Sequence, residues 1–497
     1  MPKKFQNYIN GRWVDAKSGR TFENRNPANW DEVLGVFPLS GKEDVDEAVK
    51  AARNAFESWR LVPAPKRGDI MRKVGDLLTA RKEELARQMT MEMGKVLLET
   101  RGDVQEGIDT AYYASTEGRR LFGHTVPSEL PNKFNMAIRM PVGVAAIITP
   151  WNFPMAIPTW KIFPALVSGN TVVFKPASDT PATATSLVEI LIEAGVPPGV
   201  VNIVHGGGSE VGMALVEHPD VDLVSFTGST SVGKKISEVA SKTLKRVSLE
   251  LGGKNAQIVM DDANLDLALE GVLWGAFGTT GQRCTATSRL IVHEKVYDTF
   301  LSMVVDKTKK LRLGNGLDEK VDVGPCVNEG QRKTVDSYVQ IGKSEGARVV
   351  TGGKIASGDG LSKGWFYEPT ILADVTQEMR VAKEEIFGPV LSVIKVRSLE
   401  EAIHVANNTR YGLSSSIYTQ DINNAYRAIR DLKAGITYIN APTIGAEAHM
   451  PFGGVKETGN GHREGGWTVY DFFTEWKTVY VDYSGTLQRA QIDNVEG

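Results

Sequence analysis

The chain has 497 residues, 41% hydrophobic and 24% charged, which suits a globular protein of two or three domains with ample core. Its net charge of −3 gives no electrostatic reason to expect nucleic acid or an anionic membrane as partner, and no uncharged apolar run approaches the roughly 18 residues of a membrane span. Two cysteines, Cys284 and Cys326, make no disulfide framework, and the seven histidines show no metal-ligand spacing, so no metal site is expected.

The opening Met1-Pro2-Lys3-Lys4-Phe5-Gln6-Asn7 lacks the apolar stretch of a signal peptide, and a reactive thiol suits a reducing compartment, so a cytoplasmic protein is expected. The first 140 or so residues read as mainly helical. From Asp44 to Trp59 the residues Val45, Ala48, Val49, Ala52, Phe56 and Trp59 share one face, after a capping-box pattern of Ser40 and Glu43. Further amphipathic regions cover 66–92 and 95–120. Residues 126–141 are polar and interrupted by proline, with Asn132-Lys133-Phe134-Asn135 expected as a turn.

From 142 the texture changes. Val142 to Thr149, Thr171 to Phe174, Val200 to Val204, Asp222 to Phe226 and Arg246 to Leu251 read as strands. Helical patterns lie between them at 155–168, 181–194, 209–217 and 231–242. This alternation predicts βαβ units around a buried parallel sheet. A second α/β block runs from 254 to 450, with strands near 256–260, 288–293, 390–396 and 436–440. Strand character returns at Lys477 to Tyr483.

Three segments carry chemistry. Cys284 follows Phe277-Gly278-Thr279-Thr280-Gly281-Gln282-Arg283, a glycine-rich approach expected to leave room for a ligand beside the sulfur. Glu250 sits in the apolar run Val247-Ser248-Leu249-Glu250-Leu251-Gly252-Gly253, where poor solvation raises a carboxyl toward the range of a general base. Asn152, in Thr149-Pro150-Trp151-Asn152-Phe153-Pro154, offers an uncharged donor to an oxyanion at a strand end. Nucleophile, base and oxyanion donor together are the parts of an acyl-transfer site. The fingerprint G-x-G-x-x-G is absent. Gly206-Gly207-Gly208 with Gly212, and Gly228-Ser229-Thr230-Ser231-Val232-Gly233 opening a helix, are the phosphate-binding candidates.

In these blocks, taken with Lys175-Pro176-Ala177, Phe226-Thr227-Gly228-Ser229-Thr230, Glu384-Glu385-Ile386-Phe387-Gly388-Pro389 and Pro451-Phe452-Gly453-Gly454, the chain resembles the aldehyde dehydrogenase superfamily from about residue 5 to 485. The resemblance implies an α/β fold with an atypical Rossmann cofactor domain (1–125 and 142–253), a second α/β catalytic domain (254–450), and a small β element for oligomerisation (126–141 and 475–490). It implies NAD or NADP as cofactor, a small-molecule aldehyde as substrate, and a homodimer or homotetramer.

By the same resemblance Cys284 is the nucleophile, Asn152 the oxyanion donor and Glu250 the base that hydrolyses a thioester. Glu464 is a second carboxylate that assists water activation, against a surface ion pair with Arg463. Retention of Glu250 favours a free acid as product, since coenzyme-A-acylating relatives do not need this base. Thr149, Pro150, Trp151, Lys175, Ser178, Gly208, Phe226, Gly228, Ser229, Gly233, Leu251, Glu385 and Phe387 are the implied cofactor contacts. Ser178 departs from the glutamate that NAD-specific relatives often carry, so NADP is expected to be tolerated or preferred.

Arg283 is read either as a contact for a substrate carboxylate or as a structural anchor. Asn440-Ala441-Pro442-Thr443-Ile444-Gly445-Ala446-Glu447 is similar to a substrate-anchoring loop of members acting on α-ketoglutaric and α-aminoadipic semialdehydes. That wording implies an aldehyde with a remote carboxylate. The alternatives are a broad-range dehydrogenase, a thiol esterase without redox chemistry, or an inactive structural homologue.

Overall fold

The structure, a computed structural model, describes residues 2–358 and 360–493. Two seven-stranded sheets organise it. In the first the strand order is Arg246–Glu250, Leu223–Thr227, Val144–Ile148, Thr171–Lys175, Val201–Ile203, Asn7–Ile9, Arg12–Val14. The first five are parallel, and Asn7–Ile9 is antiparallel to both of its neighbours, Val201–Ile203 and Arg12–Val14. Strands 144–148 and 171–175 are buried throughout, as a sheet covered on both faces requires. Helices Ala156–Ser168 and Pro181–Ala194 end at Gly169 and Gly195, both left-handed, which closes the last turn of each.

The second sheet runs Arg348–Thr351, Thr370–Ala373, Val390–Val396, Thr287–His293, Asn255–Val259, Ser414–Tyr418, Ile436–Ile439, parallel except at its first pair. A small sheet joins Thr474–Asp482 to Lys133–Pro141 and His124–Val126. Among the described residues, no helix is long and apolar enough to cross a membrane.

The parallel strands and their helices fall within a residue or two of expectation. The opening of the chain does not. Residues 3–38 hold five strands rather than helix. Asn7–Ile9 and Arg12–Val14 are joined by Asn10 and Gly11, both at positive φ (50° and 81°), so Asn-Gly was the available hairpin signal. The first long helix, Lys42–Trp59, is capped one residue later than Ser40: the Gly41 N–H donates to Asp44 across 3.0 Å. Ser40 instead accepts from Asn7, tying the helix entry to the strand Asn7–Ile9. The 66–92 region is two helices, Ala64–Ala80 and Lys82–Met93, broken at Arg81. Of the expected turn only Asn132 bends, at φ 53°; Phe134 and Asn135 lie in the strand because they pair with Val481 and Tyr480. Strands 348–351, 370–373 and 414–418 were not expected; Ser414-Ser415-Ser416 is buried yet too polar to read as core.

Candidate active site

In the first sheet the chain proceeds from Val144–Ile148 outward through two strands, then returns to place Leu223–Thr227 on the other flank. This reversal opens a crevice beyond the carboxyl ends of 144–148 and 223–227, where open α/β sheets bind ligands. Thr149 to Asn152 leave one strand end there and Thr227-Gly228-Ser229 the other. A cavity of about 280 Å³ occupies the crevice, lined by Pro150, Trp151, Asn152, Gly228, Ser229, Leu251, Glu385, Phe387 and Cys284.

Cys284 follows helix Leu265–Phe277 and a tight turn, Gly278–Gly281, in which Thr279 and Thr280 have φ of 53° and 57°. The glycines of this approach do not make room for a ligand, as the sequence suggested. A Cβ on Gly281 would overlap the Gly388 carbonyl, so backbone fills the space. The Cys284 carbonyl accepts from Asn255 at 2.7 Å and lies against bare Gly253. Its sulfur also borders a second chamber of about 390 Å³, walled by Phe153, Ile157, Trp160, Trp274, Arg283, Thr285, Ile444 and Phe452. Cys284 thus stands where the two chambers meet. Burial, then the carboxylates of Glu250 and Glu385, push its thiol up to about 12, so it rests protonated in the free protein.

Glu250 ends the strand Arg246–Glu250 and is 4% exposed, and neither carboxyl oxygen has a hydrogen-bond partner among the described residues. Burial and the Glu464 carboxylate hold its pKa well above the usual range, partly offset by Lys161 and Arg463. Such a group is costly to bury unless water or substrate completes it. Asn152 is 2% exposed, and its Oδ1 also lacks a partner. Its backbone is fixed by Lys95, whose ammonium donates to the Asn152 carbonyl at 2.9 Å.

Glu464 is 2% exposed and does not form a surface pair with Arg463. It accepts from buried Lys161, on the helix Ala156–Ser168, with Ser225 3.4 Å away. Desolvation explains the choice: a buried carboxylate needs a buried cation. Lys161 was missed by sequence reasoning. Its signal is one charge in the otherwise apolar Ala156-Ile157-Pro158-Thr159-Trp160-Lys161-Ile162-Phe163.

Around the 280 Å³ cavity, Glu385 accepts from the Gly253 N–H at 2.9 Å, and a side chain on Gly252 would overlap its carboxylate. Burial raises Glu385 to about 7. Neighbouring Glu384 instead pairs on the surface with Arg380 and Tyr338. Phe387 meets Trp151 edge-on at 5.4 Å. Ser229 caps the helix Thr230–Ser241, and Gly233 packs against Leu251. Lys175, at a strand end, is lowered to about 8 by burial, with Asp179 opposing. Its ammonium meets no acceptor among the described residues. Ser178 donates to the Gly206 carbonyl at 3.1 Å, which ties it to the glycine run before the wide turn Gly208–Gly212. Thr149 and Phe226 are buried beneath the crevice and do not line the 280 Å³ cavity; Lys175, Ser178, Gly208 and Gly233 also lie outside its lining. The bare turn at Gly228, the helix N-terminus, the unpaired Lys175 and the cavity-facing Glu385 fit a dinucleotide laid along the strand ends.

Arg283 lines the 390 Å³ chamber and is also anchored. It donates to Thr279 Oγ1 at 2.8 Å, pairs with Glu99 at 3.3 Å, and covers the rings of Phe153 and Trp274. Ile444, Gly445 and Ala446 of the 440–447 loop line the same chamber.

Residues 13–479 match the family model described as "Aldehyde dehydrogenase family". The chain is 46% identical to an alpha-ketoglutarate semialdehyde dehydrogenase of Haloferax volcanii, over 97% of this chain and 100% of that one. It is 44% identical to an alpha-ketoglutaric semialdehyde dehydrogenase of Bacillus subtilis, over 96% and 98%. Among solved structures, betaine aldehyde dehydrogenase from Staphylococcus aureus in complex with NAD+ superposes with a TM-score of 0.95 at 37% identity, covering 97% of this chain and 95% of that one.

Proposed function

Because the chain belongs to the aldehyde dehydrogenase family, and is on that account an NAD(P)-dependent oxidoreductase acting on aldehydes, we propose that its substrate is a semialdehyde with a remote carboxylate, such as α-ketoglutaric semialdehyde. The observation that carries the catalytic assignment is the position of Cys284 at the junction of two chambers. One admits the aldehyde, the other the nicotinamide.

The Cys284 thiol loses its proton to solvent and its sulfur adds to the aldehyde carbon. The resulting oxyanion is held by the Asn152 amide and a backbone N–H. A nicotinamide held beside Cys284 would supply the hydride acceptor, and loss of hydride from the adduct would leave a thioester on Cys284. Glu250 takes a proton from water as it attacks, releasing the free acid and the thiol. Its partnerless, poorly solvated carboxyl supports that role. Lys161 and Glu464 set the charge around Glu250. Lys175, Glu385 and the turn at Gly228 are assigned to hold the cofactor. Serine at 178 adds no charge against a 2′-phosphate, so NAD and NADP are both assigned.

The small sheet is assigned to self-association as a homodimer or homotetramer: it exposes Trp476 and Tyr480 on one face and Phe134 and Val481 on the other, and its outer strands have open edges. Two unbonded cysteines support a cytoplasmic location. The test is the initial rate of cofactor reduction with α-ketoglutaric semialdehyde, an uncharged aliphatic aldehyde and benzaldehyde, each with NAD and NADP. A kcat/KM favouring the carboxylated aldehyde is expected; equal or better rates with the uncharged ones would leave a broad-range dehydrogenase.

A further inference from the structure

Among the described residues, the substrate chamber is lined by two with an unpartnered buried polar atom that the mechanism does not use, Trp160 with its indole N–H and Glu106 with its carboxyl, and only the second can change charge. Helix Leu97–Glu117 presents Glu99, Asp103 and Glu106 along one face toward the chamber. The first two are already balanced. Glu99 holds Arg283 and accepts from the Thr279 N–H at 2.5 Å. Asp103 forms a fully buried pair with Lys95 at 2.6 Å and accepts from the Ala156 N–H at 2.7 Å. Glu106 has neither kind of partner. Its Oε1 is buried without a hydrogen bond among the described residues, and it is the carboxyl that borders both the inner chamber and an outer vestibule lined by Asp109, Tyr113, Glu447 and His449.

We propose that Glu106 is a specificity-determining residue, its unpartnered carboxyl hydrogen-bonding the remote carboxylate of the substrate. This rests on the semialdehyde reading above and names the group that reads the far end. Arg283 supplies positive potential to the same chamber, but Thr279, Glu99 and two aromatic rings hold its guanidinium. An O–H donor facing a carboxylate makes a strong, charge-assisted bond, whereas an ionised Glu106 repels the same ligand. The groups around it are Asp103 and Asp109 on its own helix, Arg283 and Lys95 from neighbouring loops, Tyr438 from strand Ile436–Ile439, and Glu447 with His449 from the loop beyond. Burial and Asp103 raise Glu106 to about 8 while Arg283 and Lys95 oppose. The donor is therefore present at neutral pH and lost as pH rises through that value.

The experiment measures kcat/KM for α-ketoglutaric semialdehyde and for pentanal from pH 6.5 to 9.5, in the wild type, Glu106→Gln and Glu106→Ala, and reads the ratio of the two substrates. In the wild type the ratio is expected to fall about tenfold or more as pH rises past about 8. Glu106→Ala should lower the ratio at neutral pH by roughly 10–100-fold, the worth of one hydrogen bond to a charged group. Glu106→Gln, which keeps an N–H donor, should retain most of the ratio and lose its pH dependence. A wild type that prefers the carboxylated aldehyde while both variants keep that preference overturns the role of Glu106 and leaves the substrate reading standing. No preference in the wild type at any pH overturns both.

Discussion

The two chambers that meet at Cys284 are built by different means. The cofactor side is made from backbone at strand ends and turns: Gly228 bare beside a helix start, Gly252 and Gly253 letting Glu385 and the Cys284 loop approach, Pro150 and Trp151 fixing the strand exit. The substrate side is made from side chains of the helices Leu97–Glu117, Ala156–Ser168 and Leu265–Phe277 and of the loops near 153, 283, 444 and 452, with Phe153, Trp274, Arg283, Glu106 and Ile444 among them. Backbone constraints leave short, fixed strings of residues. Side-chain walls admit many solutions. The cofactor is therefore the common element of such a protein and the substrate the variable one.

The sharpest way to break this division is to remove the residue both chambers share. Cys284→Ala should abolish aldehyde-dependent cofactor reduction, a loss of about 10⁴-fold or more, while cofactor binding, followed by quenching of Trp151 or by calorimetry, persists. Asn152→Ala should lower kcat about 10²–10³-fold, because one oxyanion donor is lost. Its effect should be equal for charged and uncharged aldehydes, which would separate it from residues of the substrate wall.

Glu250→Gln should leave hydride transfer and stop hydrolysis. Rapid mixing should show one equivalent of reduced cofactor per subunit, followed by turnover about 10²–10⁴-fold slower than wild type. A linear trace without a burst would sink its assignment to the second step. Because Glu250 is raised by burial and by Glu464, wild-type hydrolysis should rise with pH as this base loses its proton. Glu464→Gln removes the neighbouring negative charge and leaves Lys161 unpaired. Both changes favour ionised Glu250, so the acid limb of the kcat profile should move to lower pH.

The smallest effect belongs to the cofactor side. Ser178→Glu should lower kcat/KM for NADP relative to NAD by about tenfold, since a carboxylate there would face the 2′-phosphate. An unchanged ratio would mean that position 178 does not read the ribose.

How legible each region was follows from the same division. The first sheet was readable because a strand covered on both faces must be apolar throughout, as Thr171–Lys175 is up to its terminal lysine. Cys284, Glu250 and Asn152 stood out because each is a polar or reactive group set against apolar or glycine-rich neighbours. Lys161 and Glu106 did not, since a charged residue within a helix usually faces solvent, and only packing reveals that Lys161 is buried and that one oxygen of Glu106 is. The hairpin at Asn10-Gly11 was legible and overlooked: its strands are three residues each, too short for alternation to register. The substrate wall was illegible for a deeper reason, as its residues come from positions near 99, 153, 274, 283 and 444 that only the finished fold assembles.

The strand Thr474–Asp482 has a consequence for how the chain is made. It pairs with Lys133–Pro141, while Arg246 donates to the carbonyls of Phe472 and Thr474, and Asn170 donates to that of Phe473. Bonds such as Arg139 to Thr474 span 335 positions. The N-terminal half can collapse early during synthesis, but its base is stitched shut only when the ribosome has passed residue 474. Until then, buried-to-be donors on Asn170 and Arg246 stand open, and the growing chain depends on slow, non-local closure for its final rigidity.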